Sequence, residues 1–488
     1  MGLSTWRCAD LRLVRASRLG IIGAMTCSLR LILASLALAA STGAAHAHAS
    51  EGGLVLLLPT DLYVGAGAGA VALTVLLLTV LPDRVTLGLF RPLAGPRLPR
   101  LPGRVVVSCL SFLVLVALVG IGAVGPTDPQ KNLLPLSVWT LFWVGLVTLQ
   151  GLFGNLWAWV NPWTGPVAVT REITGARAAL RLSPRLGHAV AIATWLGFAA
   201  FLLVDPAPAD PRRLAAVVWG YWVFTFAATL AFGPRWLRRA EAFTVFLGIY
   251  ARVAILGRRG GRLRAGVPGW RIFAARAPLP GLSVLMVMML ATGSFDGLNE
   301  TFWWFSVLGL NPLEFPGRSA VVLPNLAGLL VANAGLVAAF ALTVWAGLRL
   351  ARSEMGPGDG FRLFAPTLLP IALGYHVAHY LTSFMVDGQY ALLAATDPLG
   401  RGDDLLGLGK VYVTTGFFNT LGSMRVIWLS MAGAVVLGHV IAVLLAHAVA
   451  VRALGPGRRA ALSQAPLAIF MIFYTLFGLW LLASPRGL

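Results

Sequence analysis

Charge is what this chain has least of. Only 11% of its 488 residues are charged, where a soluble domain carries roughly 25%. Acidic residues are scarcest, 18 against 38 basic ones, and Lys131 and Lys410 are the only lysines. With 58% hydrophobic residues there is too little polar surface for an ordinary soluble enzyme. Cysteine is almost missing as well. Cys8, Cys27 and Cys109 share no metal-ligand or redox spacing, so a disulfide framework and a CxxC centre are both excluded. No Walker loop, GxSxG elbow or dinucleotide fingerprint occurs. No internal repeat is found, which leaves an inverted-repeat transporter without support.

What is present is a series of long apolar runs. Runs of about 20 residues are the length a bilayer demands of a helix. They fall near residues 62–81, 105–124, 136–157, 187–204 and 214–232, then 279–295, 326–348, 363–386, 426–451 and 466–483. The expected fold class is all-α: a polytopic transmembrane bundle of about ten spans, with the lipid bilayer as its first partner. The arginine surplus lies between the runs instead of in one patch, which argues against nucleic acid and for positive-inside topology. Arginines cluster after the first, third, fifth, seventh and ninth runs, whereas alternate loops carry Asp128, Asp205, Glu300, Asp387, Asp397 and Asp404. That alternation implies a bacterial inner-membrane protein with both mature termini outside.

The N-terminus reads as an export signal covering residues 1–47, with a start at Met25 as an alternative. Arginines precede the apolar stretch 31–40, and small residues around Ala45, Ala47 and Ala49 offer cleavage sites. A cut after Ala45 or Ala47 makes His46 or His48 the first mature residue, whereas a cut after Ala49 discards both. The integral domain then runs over 48–488. Within it, residues 243–256 are apolar but too short to span, and Arg252 lies among them, the pattern of an interfacial amphipathic helix. The outer loop 387–424 is long for a bare connection, and such loops are often lids.

Histidines inside these apolar runs carry the functional signal, since an imidazole in hydrocarbon usually serves a task. His376 and His379 lie three apart in the eighth run, the spacing at which one helix presents two ligands to one ion. Helical periodicity sets His376, Tyr380, Ser383 and Asp387 on one stripe with His379 beside it. His439 lies near the middle of the next run, with Arg425 on its face at the outer end. Asp296 closes the sixth run on the outer side. His376, His379, His439, Asp296 and His48 therefore form the candidate ligand set for a divalent transition metal, zinc or copper. Tyr380, Arg425 and Asp387 are the candidate catalytic groups. The competing structural readings are polar glue between helices for the histidines and a helix cap for Asp296. His447 and His188, near cytoplasmic ends, read as interfacial.

The chain is similar to a bacterial family of multi-spanning membrane proteins named fenitrothion hydrolases. The residues that carry the likeness are Phe364-Ala365-Pro366-Thr367-Leu368-Leu369-Pro370-Ile371-Ala372-Leu373-Gly374-Tyr375-His376-Val377-Ala378-His379-Tyr380 and Thr396-Asp397-Pro398-Leu399-Gly400. Gly438-His439-Val440, Asn155-Leu156-Trp157, Asn161-Pro162-Trp163, Ser294-Phe295-Asp296-Gly297-Leu298 and Tyr474-Thr475-Leu476-Phe477-Gly478-Leu479-Trp480 add to it. The resemblance implies hydrolysis of an apolar organophosphate triester. A metal held by the histidines would lower the pKa of a bound water, and Arg425 or Tyr380 would stabilise charge on the phosphoryl oxygen. The alternative expectation is copper handling or transport, although only Met286, Met288 and Met289 form any thioether cluster. A bis-histidine haem fits poorly, because the two histidine pairs have different spacings.

Overall fold

An apolar run of 20 residues can satisfy its own amides in a bilayer only as a helix, and helices dominate the chain. The computed structural model describes residues 58–97, 99, 102–314 and 317–486. The expected signal segment, with His46 and His48, lies outside the described residues. Among them, nine helices are long and apolar enough to cross a membrane. Spans are labelled in chain order: α1 Thr60–Val80, α2 Arg104–Val124, α3 Leu133–Phe153, α4 Ala189–Leu203 and α5 Pro211–Phe232. The second half adds α6 Pro280–Leu298, α7 Val322–Leu350, α8 Leu369–Thr396, α9 Leu421–Leu454 and α10 Arg458–Ala483. The exception to full length is α4, at 15 residues. The protein is thus an all-α multi-pass membrane bundle. Leu58–Thr414 and Arg425–Leu488 form one compact unit; Thr415–Met424, with its 3-10 turn Gly416–Phe418, falls in another.

Two elements depart from the sequence expectation. The first is α8, which continues to Thr396, so Asp387 sits on the helix and the connection begins only at Asp397. A drop in hydropathy at Asp387 marks where apolar character ends, but a charge does not stop a helix; Pro398, which cannot continue one, does. The second is the segment expected at the lipid interface. It forms a helix over Ala242–Tyr250 in which Ala242, Val245, Phe246, Leu247, Ile249 and Tyr250 are all buried. Phe246 stacks on Trp195 at 4.5 Å and on Trp143 at 5.5 Å between ring centroids. This helix is therefore inserted into the bundle. Glu241 caps it, its carboxylate accepting from the amides of Phe243 and Thr244 and from the Tyr221 hydroxyl. Burial pushes that carboxyl's pKa up.

Hydropathy also gave no sign of a small antiparallel sheet. Strands β1 Leu93–Arg97, β2 Leu256–Arg259 and β3 Arg262–Ala265 pair in the order β1-β3-β2. Gly260 and Gly261, both at positive φ, make the two-residue turn between β2 and β3, as hairpin geometry requires. The sheet joins two arginine-rich loops, so both lie on one face of the bundle. His447 near the end of α9 reaches Asp83 on that face, 3.1 Å away.

The helix that carries the histidine pair is locked by backbone contact. Gly374 on α8 faces the Ala434 carbonyl of α9, and a methyl at Gly438 would stand 2.6 Å from the Pro370 carbonyl. Small residues at a crossing let two membrane helices approach this closely. Beyond α8, Asp397 accepts from the amides of Arg401 and Gly402, and Asp404 from those of Leu408 and Gly409. The chain then returns to α8, where the Gln389 amide group exchanges two hydrogen bonds with the Thr414 backbone.

Candidate functional site

Three helices supply the site. α3 is α-helical at both ends but π-helical over Leu136–Leu146; such widened turns recur at functional positions. It presents Trp143, whose ring lies edge-on to His376 at 5.4 Å. α6 brings Asp296 near its C-terminal end, and α8 brings Tyr375, His376, His379 and Tyr380. One small cavity touches all of these, with Trp195, Phe246, Tyr250 and Thr292 among its other walls. Its volume, about 20 Å³, holds about one water.

Asp296 is the hub. The Tyr380 hydroxyl donates to its Oδ2, and His379 Nε2 lies 3.3 Å from the same oxygen. On the other side of the imidazole, the Arg486 guanidinium lies 3.4 Å from Nδ1. A guanidinium only donates, so a hydrogen bond at Nδ1 requires the tautomer with its proton on Nε2, directed at Asp296. Arg486 also meets Glu300 at 3.7 Å, and Arg318 meets the same carboxylate at 3.8 Å. The result is a chain of alternating charge, Asp296, Arg486, Glu300 and Arg318, with the His379 ring inserted after the first. It leads from a carboxylate 10% exposed to a guanidinium 28% exposed. Such neutrality is what makes a buried carboxylate tolerable.

Tyr375 adds a group of a different kind. Its ring stacks on His379 at 5.6 Å, and its hydroxyl is buried with no hydrogen-bond partner. Gly297 makes room for it, since a methyl there would overlap that hydroxyl. An unpartnered buried hydroxyl is costly, and Tyr375 and Asp296 both line the cavity. Further along, Trp195 donates to Thr292 and Thr292 to Asn333.

Of the residues expected from the sequence, His376, His379, Asp296 and Tyr380 come together. His376, however, directs Nε2 to the Trp143 carbonyl at 3.0 Å. His439 stays apart: Gly438 packs at the level of Pro370, about 9 Å along the helix axis from His376. Its Nδ1 bonds the Val435 carbonyl, and its Nε2 is buried without a partner. Asp387 is half-buried on α8, about two turns past Tyr380, and does not line the cavity. Arg425 is exposed near the start of α9 and does not line it either. His48 lies outside the described residues.

The donor set fits a metal ion poorly as arranged. Among the described residues no three His, Cys, Asp or Glu side chains gather where one ion could bind them. His376 Nε2 and His379 Nε2 each face an oxygen, and His379 Nδ1 meets the Arg486 guanidinium. Sequence reasoning missed Arg486, Glu300, Trp143 and the role of Tyr375. One signal was available for Arg486 and Arg318: both are arginines that fall outside the arginine-rich loops of the sequence. No protein-family model, curated protein or solved structure matches this chain.

Proposed function

We propose that the protein is a membrane-embedded hydrolase of an apolar ester, a phosphotriester by its sequence resemblance, working through an acid–base centre at Asp296, His379 and Tyr380. One observation carries the reading: a buried carboxylate and an unpartnered phenol share a water-sized cavity walled by aromatic rings. A mostly apolar pocket with a few convergent polar groups is the usual form of a small-molecule site. In the proposed step Asp296 takes a proton from the cavity water, and the water oxygen bonds to phosphorus. The phosphorus–oxygen bond to the aryl group breaks, with its electron pair leaving on the phenolate oxygen. The Tyr375 hydroxyl donates to the phosphoryl oxygen as negative charge grows there. His379, fixed by Arg486, and Tyr380 hold the carboxylate in place. The cavity admits an ester only when its aromatic walls swing aside, and a substrate dissolved in lipid approaches from the membrane.

By the arginine asymmetry we assign the face bearing β1–β3 to the cytoplasm of a bacterial inner membrane, with the Asp296 centre towards the outside. The charge ladder from Asp296 to Arg318 favours a second reading, a proton relay of the kind built from intramembrane carboxylates and histidines. Metal handling draws no support from the donor set described above.

Purified protein assayed for nitrophenol release from fenitrothion, beside Asp296→Asn, tests the first reading. Release that the variant abolishes supports it. No release from the parent protein overturns it, and proton uptake by liposomes that carry the protein would then favour the relay. Release that stops with a chelator and returns with zinc or copper would restore the metal mechanism.

A further inference from the structure

The opposite end of α6 carries a second site. Around its first turn an open cleft of about 710 Å³ is lined by Arg238, Arg239, Arg252, Arg271, Arg276 and His188. We propose that this cleft binds a phosphate-bearing anion, either the headgroup of an anionic phospholipid or a free polyphosphate.

Four separate segments contribute. Arg238 and Arg239 come from the helix Arg235–Arg239, Arg252 follows the inserted helix Ala242–Tyr250, Arg271 lies on Trp270–Ala274, and Arg276 leads into α6. Five guanidiniums converge with no carboxylate in the lining. None of the five enters an ion pair among the described residues. The single acidic residue of positions 233–278 is Glu241, and its oxygens are taken by two amides and the Tyr221 hydroxyl. Structural arginines normally come with acidic partners when half-buried; here Arg271 donates to the Ala251 carbonyl, and no carboxylate balances the group. Burial and the neighbouring Arg271 both lower the pKa of Arg252.

His188 supplies the independent pointer. It is 5% exposed, lines the cleft, and its Nδ1 has no hydrogen-bond partner. It also stands at the N-terminus of α4, whose free amides and dipole favour an anion. Planar guanidinium forks match phosphate oxygens two at a time. Basic pockets between membrane helices on the cytoplasmic side are suited to lipid headgroups, and Leu279 and Leu282 line the same cleft where an acyl chain would begin. This site is independent of the Asp296 centre.

The test uses the full chain and the exposed arginines, so that folding is spared. Arg238→Gln/Arg276→Gln is compared with the parent and with Arg258→Gln/Arg259→Gln in β2 as a charge control. Inorganic pyrophosphate is titrated by calorimetry into delipidated protein in neutral detergent. Phospholipid retained from nanodiscs containing phosphatidylglycerol is read by native mass spectrometry. The expected result is binding of at least one probe that the cleft variant weakens by roughly tenfold or more, while the control stays within about twofold. Phospholipid retention alone identifies a lipid headgroup, and pyrophosphate binding identifies a free phosphate. Binding of neither probe, or equal loss in cleft and control variants, overturns the proposal.

Discussion

Arg486 holds Nδ1 of His379 at 3.4 Å, and that contact decides which nitrogen of the imidazole bears the proton. The ring is thereby turned into a donor towards Asp296, and the guanidinium is bound in turn by Glu300. Arg486→Gln keeps a donor at shorter reach but removes the charge that balances two carboxylates. The Arg486 side chain is 34% exposed, so water softens the loss, and a destabilisation of about 1–2 kcal/mol is expected instead of the larger cost of breaking a fully buried pair. Thermal unfolding in detergent measures it. Nitrogen-15 spectra of labelled histidine check the tautomer, which in the variant no longer favours Nε2–H. Unchanged spectra would show that Asp296 alone sets the ring.

Asp296→Asn and Tyr375→Phe are expected to separate chemistry from structure. The amide is isosteric with the carboxylate but is no base, and its NH₂ meets the donors Tyr380 and His379. Turnover of the ester should fall by about a hundredfold or more, with some loss of stability. Tyr375→Phe deletes a hydroxyl that has no partner, so stability should stay level or rise. Turnover should nevertheless drop by about a hundredfold, the usual cost of one donor to a developing oxyanion. A Tyr375→Phe protein that hydrolyses the ester at the parent rate would remove this phenol from the mechanism. Gly297→Ala, whose methyl collides with the same hydroxyl, provides a steric counterpart.

Much of this architecture was legible because membrane spans announce themselves by length and polarity. His376, His379, Tyr380 and Asp296 stood out for the same reason: each is an expensive group in an apolar run. Their partners were harder to see. Trp143 is one tryptophan of sixteen, and only a π-helical turn aims it at His376. Glu300 and Arg486 look like ordinary loop charges until the chain end pairs with the start of the loop at Thr301. His439 misled for a geometric reason. Adjacent spans with histidines share a neighbourhood but not a depth, and depth is set by where Gly374 and Gly438 let the backbones touch. The inserted helix Ala242–Tyr250 was misread because length alone separates an interfacial segment from a buried one poorly.

That helix crossing is itself testable. A methyl at Gly438 would stand 2.6 Å from the Pro370 carbonyl, and the atom it meets is backbone, which cannot rotate away. Gly438→Ala should cost about 1–3 kcal/mol, the range for overpacking a tight contact. It should also shift α8 against α9 and so disturb the His376–Trp143 contact. Gly433→Ala serves as control, because a methyl there meets nothing and helix propensity favours the change. Equal unfolding temperatures for the two variants would refute the close crossing.

Acid should loosen the loop beyond α8 before it unfolds the bundle. Asp397 accepts from the amides of Arg401 and Gly402, and those bonds hold its pKa below the ordinary carboxylate value. A carboxylate whose folded pKa is depressed stabilises the folded loop fully above its unfolded pKa. That contribution is lost as pH falls through the lower, folded value. The affected window therefore lies at and below the usual carboxylate range, and the loop should be indifferent to pH at neutrality. Amide hydrogen exchange at Arg401 and Gly402, corrected for intrinsic rates, should lose protection there while α8 keeps its own. Asp397→Asn retains one acceptor oxygen but cannot ionise, so its weaker protection should be flat across the same window. Protection in the parent chain that is equally flat would show that the turn stands on its glycines and Pro398 alone.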